Sequence, residues 1–405
     1  MPCPPAPRWK PTDLRHRTLR RRARLALASA ALGVLFALST APPSFPQAPN
    51  DGTAVAKRAR VESERTVKFF GPLRVRDLMP LTLAFLDFVP SHAVEGSEGV
   101  LFVEFHHSHA NTFIMSENVR SYLEGRDVDG RRRLTDEDFD NILAFDEDAF
   151  YFDGAAGYAN LTFHYSISRD WNASLKVPFI YYGGGLLDDG IESFHEDFGF
   201  STAGRDLVPQ DITQALVKLG NESAELREDT STSGLADPVL AVSKAFRRPN
   251  GWTMVWEGAV KFPVGDTDSF LSSGATDYGL QVSFHKQWRH RALYLALAQV
   301  WLGDTEDFPS FSVSDTQKVT GSYEHLLGRR WSWVLQGSFS PSPFDDTESE
   351  LSQAKLQVSV GLRYAFKNNS AIELGFTENV SNFDSTPDIG FHFGIGTPIR
   401  RFGSR

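Results

Sequence analysis

Cysteine is nearly absent from this chain of 405 residues, and its single copy is Cys3. We expect Cys3 to be lost with an N-terminal signal peptide, so the mature chain would have neither a disulfide bond nor a thiolate metal site. No cysteine follows the apolar part of that signal, which excludes a lipid anchor attached there.

Basic charge is also scarce. The chain has 41 Lys and Arg against 51 Asp and Glu, a net charge of −10. Residues 1–41 hold eight of the basic residues and one acid, so the chain without them has a net charge of −17. A nucleic-acid partner is therefore not expected, because such binding requires clustered positive charge.

Long apolar runs are limited to one, at residues 25–38. Six arginines between residues 15 and 24 precede this run, and small residues follow it at 39–41. This order predicts a signal peptide over residues 1–41, with an uncleaved membrane anchor as the alternative. No later run is long enough for a spanning helix, so strands would have to cross any membrane.

Motifs of enzyme active sites are absent as well. There is no Gly-x-Ser-x-Gly elbow, His-Glu-x-x-His pair or phosphate-binding loop. Of His106, His107 and His109, only the last two would share one face of a strand, which favours a polar surface over a metal site. We therefore predict no catalytic residue, no metal and no cofactor.

What the chain does have is alternation of apolar and polar residues with a period of two. Leu161, Phe163 and Tyr165, for example, alternate with Thr162 and His164. Such segments have one apolar and one polar face, and a length of about ten residues suits a tilted strand that crosses a bilayer. Twelve are predicted after residue 97, at roughly 99–109, 156–168, 171–183, 235–247, 251–263, 277–288, 291–303, 316–327, 331–342, 353–366, 370–378 and 388–398.

The connections between these strands alternate in length. Short ones such as Arg169-Asp170 and Arg289-His290 alternate with long ones such as 110–155 and 184–234. Uniform strands, unequal loops and an aromatic rim favour an outer-membrane barrel over a soluble β-sandwich. We therefore predict an all-β fold, a transmembrane up-and-down antiparallel β-barrel of about twelve strands with its polar face inward. The predicted aromatic rim beside the short turns consists of Trp171, Trp252, Trp288, Trp331 and Trp333.

The predicted barrel covers residues 98–398 and ends in a tail at 399–405. Residues 42–65, rich in Pro, Ala and charge, are predicted to be a flexible lead-in. Residues 66–97 are predicted to form a plug or a periplasmic segment, because Pro80 and Pro90 bracket their strand-like stretch. Fourteen strands, with residues 66–75 also pairing, are the alternative.

One short amphipathic helix is predicted at residues 186–198, within a long loop. Its candidate contacts with a ligand are Ile191, Phe194, His195 and Phe198, which would constrict the lumen or cap the barrel mouth. Mixed charge on the polar faces of the strands would face the lumen, as expected for a water-filled pore or a salt-bridged plug. These candidate lumen charges are Lys176, Glu257, Lys261, Arg363 and Glu373.

Three stretches carry a resemblance to a known family: 71–78 (GPLRVRDL) with Pro80, 186–199 (LLDDGIESFHEDFG), and 377–379 (TEN) with 387–388 (PD). They resemble a proteobacterial family of outer-membrane proteins catalogued only as a domain of unknown function. This resemblance covers roughly residues 66–398 and implies a barrel and a location, but no activity. A looser resemblance, on 234–238 (GLADP), 261–266 (KFPVGD) and 273–274 (SG), is to outer-membrane channels associated with degradation of aromatic compounds.

Residues 388–395 (DIGFHFGI) resemble the C-terminal signal that barrel-assembly machinery recognises. We expect that machinery as a partner during insertion, and outer-membrane lipid as a partner afterwards. The sequence favours a passive channel for a small solute, hydrophobic or aromatic, in the outer membrane of a Gram-negative bacterium. A closed structural barrel of the envelope and a lipid-modifying barrel enzyme are the alternatives.

Overall fold

The computed structural model describes residues 70–91, 98–126, 130–185, 204–227, 231–248, 250–304, 313–344, 347, 349–381, 387 and 389–399. The predicted signal peptide, the lead-in and the whole predicted helix at 186–198 lie outside these residues. Among the residues described, no helix is both long enough and apolar enough to cross a membrane.

The described residues form fifteen strands, two α-helices and three short 3-10 turns. The strands are β1 (Leu101–Met115), β2 (Ala149–Ser166), β3 (Trp171–Gly183), β4 (Gln214–Leu219), β5 (Glu222–Leu226), β6 (Thr232–Leu235), β7 (Val239–Arg247), β8 (Trp252–Lys261), β9 (Asp277–Gln287), β10 (Arg291–Trp301), β11 (Thr316–Leu326), β12 (Trp331–Ser340), β13 (Lys355–Ala365), β14 (Ala371–Ser381) and β15 (Ile389–Ile399). The helices are α1 (Glu117–Glu124) and α2 (Asp136–Leu143), and the 3-10 turns are Pro80–Thr82, Arg205–Leu207 and Glu350–Ser352.

Twelve of the strands close into an antiparallel barrel. They run in the order β1, β2, β3 and then β7 to β15, and the barrel closes because β15 pairs with β1. The closing register places Leu101 opposite Ile399 and Asn111 opposite Ile389. The predicted barrel is therefore confirmed, and the fourteen-strand alternative is wrong because residues 70–91 belong to no strand. The three remaining strands extend its wall, since β4 pairs with β2, β5 with β4, and β6 with β3.

The two ends of the barrel differ. Five turns, at residues 167–170, 248–251, 288–290, 327–330 and 366–370, connect neighbouring strands at one end, which we call the short-turn end. The first residue of β1 and the last of β15 lie at this end too. The opposite end, which we call the long-loop end, carries α1, α2 and the β4–β5 hairpin.

Apolar side chains face outward and polar side chains face the lumen. On β13, Leu356 and Leu362 are 39% and 43% exposed, whereas the polar Ser359 and Arg363 are only 2% and 3% exposed. This distribution is the reverse of that in a soluble β-sandwich, whose apolar face turns inward. It gives the barrel an apolar outer surface and a lumen filled with hydrogen-bonding groups.

The loop between β1 and β2 is shorter and more ordered than predicted. β1 extends to Met115 and β2 begins at Ala149. The helices α1 and α2 occupy much of the loop between them, for which no secondary structure is predicted from the sequence. Each helix has only eight residues, too few for a helical period to stand out beside the strands. A capping box on Thr135 and Asp138 begins α2. Burial tends to raise the pKa of the Asp138 carboxyl, but hydrogen bonds from Thr135 and Tyr122 outweigh burial and lower this pKa.

Residues 70–91 form a hairpin inside the barrel, which we call the lumen hairpin. Its first limb begins near the short-turn end, where the Gly71 N–H donates to Glu324 Oε2 at 3.1 Å. Further along, the Leu73 N–H donates to Gln336 Oε1 at 3.0 Å, and Gln336 is 2% exposed. Because this limb is not part of a strand, its backbone N–H groups have no strand partner. Side chains of the barrel wall accept hydrogen bonds from them instead.

The lumen hairpin turns back at the long-loop end, through the 3-10 turn Pro80–Thr82. Its second limb returns along β9, where the Leu86 N–H donates to Asp277 Oδ2 at 2.9 Å. The Ser91 and Ser283 hydroxyls are 3.2 Å apart. The hairpin therefore extends through much of the length of the lumen.

Wall glycines make room for the lumen hairpin. A methyl group at Gly279 would overlap the Phe88 ring, and one at Gly361 would overlap the Leu73 side chain. Phe88 and Leu73 are each only 1% exposed, so neither side chain has free space to move into. Close approach of the hairpin to the wall therefore requires glycine at both positions.

We expect Gly279→Val to dislodge the hairpin, because overpacking at such a contact costs about 1–3 kcal/mol. In the folded barrel in lipid vesicles, trypsin should then cleave after Arg74 and Arg76 several times faster than in the wild-type chain, as measured by mass spectrometry of the fragments. Gly258→Val is the matched control, because a methyl group there meets nothing within 4 Å. Equal cleavage of both variants would contradict the seating of the hairpin on Gly279.

Candidate functional site

A cluster of charged side chains near the short-turn end anchors the start of the lumen hairpin. Arg363 pairs with Glu373 and lies 3.4 Å from Glu324 Oε1. The same guanidinium donates to the carbonyl oxygens of Gly71 and, at 2.7 Å, Pro72. All three charged side chains are at most 7% exposed, so the pairs are well shielded from water.

A second cluster, which we call the Lys261 cluster, holds the returning limb near the long-loop end. The Lys261 ammonium lies 2.8 Å from Asp237 Oδ2 and 3.2 Å from Asp277 Oδ2, and all three side chains are at most 2% exposed. It also donates to the Ala84 carbonyl oxygen at 2.9 Å, while Asp277 accepts from the Leu86 N–H. One buried amine thus joins two wall carboxylates to the backbone of the hairpin.

The three stretches of the looser sequence resemblance meet at the Lys261 cluster. Asp237 of the GLADP stretch accepts from the N–H groups of Val264 and Gly265 in the KFPVGD stretch, at 2.9 and 3.0 Å. The Ser272 hydroxyl donates to the other Asp237 oxygen at 2.9 Å. These short motifs therefore form one hydrogen-bonded cluster at the end of β8.

Two carboxylates of the lumen hairpin pair with wall lysines. Asp77 Oδ2 lies 2.6 Å from Lys355 Nζ, and Asp87 Oδ2 lies 2.7 Å from Lys318 Nζ. Together with the two clusters and the Gln336 side chain, these pairs attach the hairpin to β8, β9, β11, β12 and β13. This part of the wall is the bonded side of the lumen.

The opposite side of the lumen contains a cavity of about 80 Å³, between the hairpin and strands β1, β2, β3, β7 and β8. Its lining extends from Asn172 and Ser243 near the short-turn end to Asp237 and Lys261. Four basic and four acidic side chains line it, so the lining carries no net charge with its histidines neutral. These are Arg74, Arg76, Lys176 and Lys261, and Asp87, Glu104, Asp237 and Glu257.

Two acidic groups of the cavity wall, Glu104 and Glu257, have longer ion pairs than those of the Lys261 cluster. The His164 ring lies 2.9 Å from Glu104 Oε2, with Arg74 Nε 3.6 Å from the same oxygen. Lys176 Nζ lies 3.7 Å from Glu257 Oε1, and its side chain is 15% exposed. These groups therefore keep hydrogen-bonding capacity for water or a solute in the cavity.

An apolar layer covers the cavity toward the long-loop end. On the wall strands the inward-facing residues change from polar to apolar, for example from Ser108 to Ala110 on β1 and from Lys176 to Pro178 and Ile180 on β3. Leu78 and Leu83 of the hairpin, at 3% and 2% exposure, pack against this part of the wall. We call these residues the apolar layer: Leu78, Leu83, Ala110, Ala156, Ile180, Tyr182, Ala236 and Leu271.

The structure distributes the predicted site residues among these features. Lys176, Glu257 and Lys261 line the cavity, while Arg363 and Glu373 form the anchor on the bonded side. The predicted helix contacts Ile191, Phe194, His195 and Phe198 lie outside the described residues. Trp171, Trp252, Trp288 and Trp331 lie at the short-turn end, and Trp333 packs against Tyr323 at a ring distance of 5.3 Å.

Sequence reasoning missed the partners of these charges, above all Asp237, Asp277 and Glu324. Asp277 and Glu324 occupy polar positions of strands in which apolar and polar residues alternate. This alternation indicates the face on which they lie but not the side chains with which they pair. Arg74, Asp77 and Asp87 were missed because nothing in the alternation of a strand identifies charges on an irregular segment.

Lys261→Met should destabilise the barrel strongly, because it leaves two buried carboxylates without their cation. We expect a loss of about 3–5 kcal/mol in the free energy of unfolding, measured by urea titration in lipid vesicles. Lys176→Met is the matched control and should cost about 1 kcal/mol or less, because that pair is longer and borders the cavity. Similar losses in the two variants would contradict the role given to the Lys261 cluster.

Similar solved structures include two channels and one transporter. The COG4313 outer membrane channel from Pseudomonas putida F1 has 11% identity and a TM-score of 0.49, with 77% of this chain and 100% of that chain covered. The P. putida toluene transporter TodX has 8% identity and a TM-score of 0.35, covering 76% and 92%. The CymD monoaromatic hydrocarbon channel has 10% identity and a TM-score of 0.34, covering 81% and 98%. No curated protein sequence matches the chain.

A family model described as "Protein of unknown function (DUF3187)" matches residues 127–397. The match spans the barrel from the loop after α1 to β15. It confirms the resemblance to a family catalogued as a domain of unknown function. The chain belongs to the DUF3187 family.

Proposed function

We propose that this protein is an outer-membrane channel for small polar solutes, with a lumen that the hairpin at 70–91 keeps closed at rest. The observation that carries the proposal is the cavity of about 80 Å³ beside the hairpin, lined by charged side chains and covered by the apolar layer. A packed structural core would not need a cavity lined by charged side chains along one side.

The outer surface supports a location in a membrane. Large apolar side chains are exposed all around the barrel, such as Leu175 on β3, Leu335 on β12 and Phe391 on β15, at 42%, 44% and 48%. Only a lipid environment makes such a continuous apolar surface favourable. By the usual arrangement of such barrels, the short-turn end faces the periplasm and the long-loop end faces outward.

The apolar layer is the proposed barrier to conduction. An apolar constriction excludes water and ions although it is formed by few side chains. Two members of the layer, Leu78 and Leu83, belong to the hairpin and not to the wall. Movement of the hairpin tip would therefore open the barrier without any change in the barrel itself.

The lining of the cavity favours polar solutes of either charge. Its equal numbers of basic and acidic side chains give no reason for strong selection of cations or anions. The accessible hairpin residues facing it include Arg74, Arg76 and Asp87, whereas Leu83 and Leu86 are at most 5% exposed. The hydrophobic or aromatic solute suggested by the sequence stays a prediction, since the helix at 186–198 lies outside the described residues.

A closed structural barrel is the second candidate, and one observation favours it. Arg363 and Lys261, each within a buried cluster of ion pairs, donate to carbonyl oxygens of the hairpin at two separate heights of the lumen. Such contacts favour a hairpin that stays in place permanently. Conduction by variants of the apolar layer separates the two candidates.

Leu83→Asn should open the channel, because a polar side chain in the apolar layer allows water to enter. In planar bilayers we expect single-channel steps at least several times more frequent than in the wild-type chain. Leu81→Asn is the matched control, since Leu81 belongs to the same turn and is equally buried but packs in a different cluster, with Met79 and Phe85.

Each outcome has a distinct meaning. Frequent steps in Leu83→Asn alone support a barrier formed by the apolar layer. Equal activity of the two variants would mean that any loosening of the hairpin tip opens the lumen, which removes the special role of the layer. Silence of both, in protein shown to be inserted, would refute the channel and favour the structural barrel.

A further inference from the structure

The short-turn end of the barrel is strongly basic, although the whole chain is acidic. The five short turns contain one acidic residue, Asp170. The loop at 116–148 on the long-loop end, in contrast, holds eleven acidic and five basic residues. We call the basic side chains of the turns and of the adjoining strand ends the basic rim: Arg169, Lys244, Arg247, Arg248, Lys286, Arg289, Arg291, Arg329, Arg330 and Lys367.

Two lysines of the basic rim lie on the outer face of the barrel, against aromatic rings. Lys244 is opposite Trp171 in the β3–β7 register, and its ammonium lies 4.8 Å from that ring centroid. Lys286 is opposite Trp252 in the β8–β9 register, and its ammonium lies 4.9 Å from that ring centroid. A second ring adjoins each ammonium, Phe246 for Lys244 at 5.0 Å and Trp288 for Lys286 at 5.5 Å.

Within the part of the chain that the structure describes, no carboxylate lies within salt-bridge distance of Lys244 or Lys286. Aromatic rings of this kind favour the boundary between hydrocarbon and headgroups. The two ammonium groups are therefore placed where lipid phosphates lie, with their charge not neutralised by protein. Arg291, with its guanidinium 5.9 Å from the Trp288 ring, adds a third cation on the same side.

We infer that the basic rim binds the phosphate groups of anionic phospholipids in the leaflet that borders the short-turn end. The chemistry is a cluster of ammonium and guanidinium donors facing phosphate oxygens, with the indole rings packed against the upper acyl chains. With the short turns in the periplasm, this leaflet is the inner leaflet of the outer membrane. The inference depends on insertion into a membrane and not on conduction.

Quenching of tryptophan fluorescence by brominated lipids tests the assignment. The refolded full chain is placed in vesicles of phosphatidylcholine with increasing phosphatidylglycerol, one lipid being brominated on its acyl chains. For the wild-type chain we expect phosphatidylglycerol to bind beside the rim tryptophans about tenfold more tightly than phosphatidylcholine, with the preference reduced in high salt. Quenching by brominated phosphatidylcholine alone reports insertion independently.

Two double variants with the same change in net charge localise the effect. Lys244→Gln/Lys286→Gln should lose most of the preference, because it removes the two lipid-facing cations. Arg120→Gln/Arg133→Gln removes two cations from the long-loop end and should keep the preference. Conductance measured on the same proteins is expected to be unchanged, which separates a failure of this inference from a failure of the channel.

Three results would overturn the inference. One is an inserted wild-type chain with no preference for phosphatidylglycerol. Another is a preference that Lys244→Gln/Lys286→Gln retains. The third is binding of solubilised cell-wall polymer that depends on the basic rim while no lipid preference exists, which would make a soluble polyanion the partner.

Discussion

Hydrogen bonds between the backbone of the lumen hairpin and the side chains of the barrel wall are the interaction on which this structure depends. Polar side chains line the lumen of this twelve-strand barrel. Their buried carboxylates, amides and amines need hydrogen-bond partners. The backbone of the hairpin also needs hydrogen-bond partners, because its limbs are outside any strand or long helix. Glu324 and Asp277 accept from its N–H groups, and Arg363 and Lys261 donate to its carbonyl oxygens.

Most polar attachments of the hairpin lie on one side of the lumen, and the cavity lies on the other side, where Arg74 contacts Glu104 at 3.6 Å. The side chains that bond to the hairpin on the first side, and the wall glycines, belong to β8, β9, β11, β12 and β13. The cavity borders β1, β2, β3, β7 and β8. The same hairpin that fills the bonded side supplies the leucines of the apolar layer on the other. One segment therefore explains both the stability of the interior and the proposed barrier to conduction.

The repeating part of the fold could be predicted from the sequence, and the irregular part could not. A period of two over segments such as 160–167 depends only on local geometry, so the barrel and its short turns followed from it. Lys261 and Arg363 were recognised as lumen charges by the same alternation. Their partners were not, because Asp237 and the backbone at 71–86 approach them only through long-range packing. The helices α1 and α2 were missed because eight residues give too weak a helical period.

Hydrogen–deuterium exchange of the hairpin amides in the lipid-embedded wild-type chain tests the central claim most directly. The N–H groups of Gly71, Leu73 and Leu86 are each donated to a buried wall side chain. Peptides covering residues 70–91 should therefore exchange as slowly as those from the barrel strands. Exchange as fast as that of an unstructured peptide, in a barrel whose strands stay protected, would contradict the account.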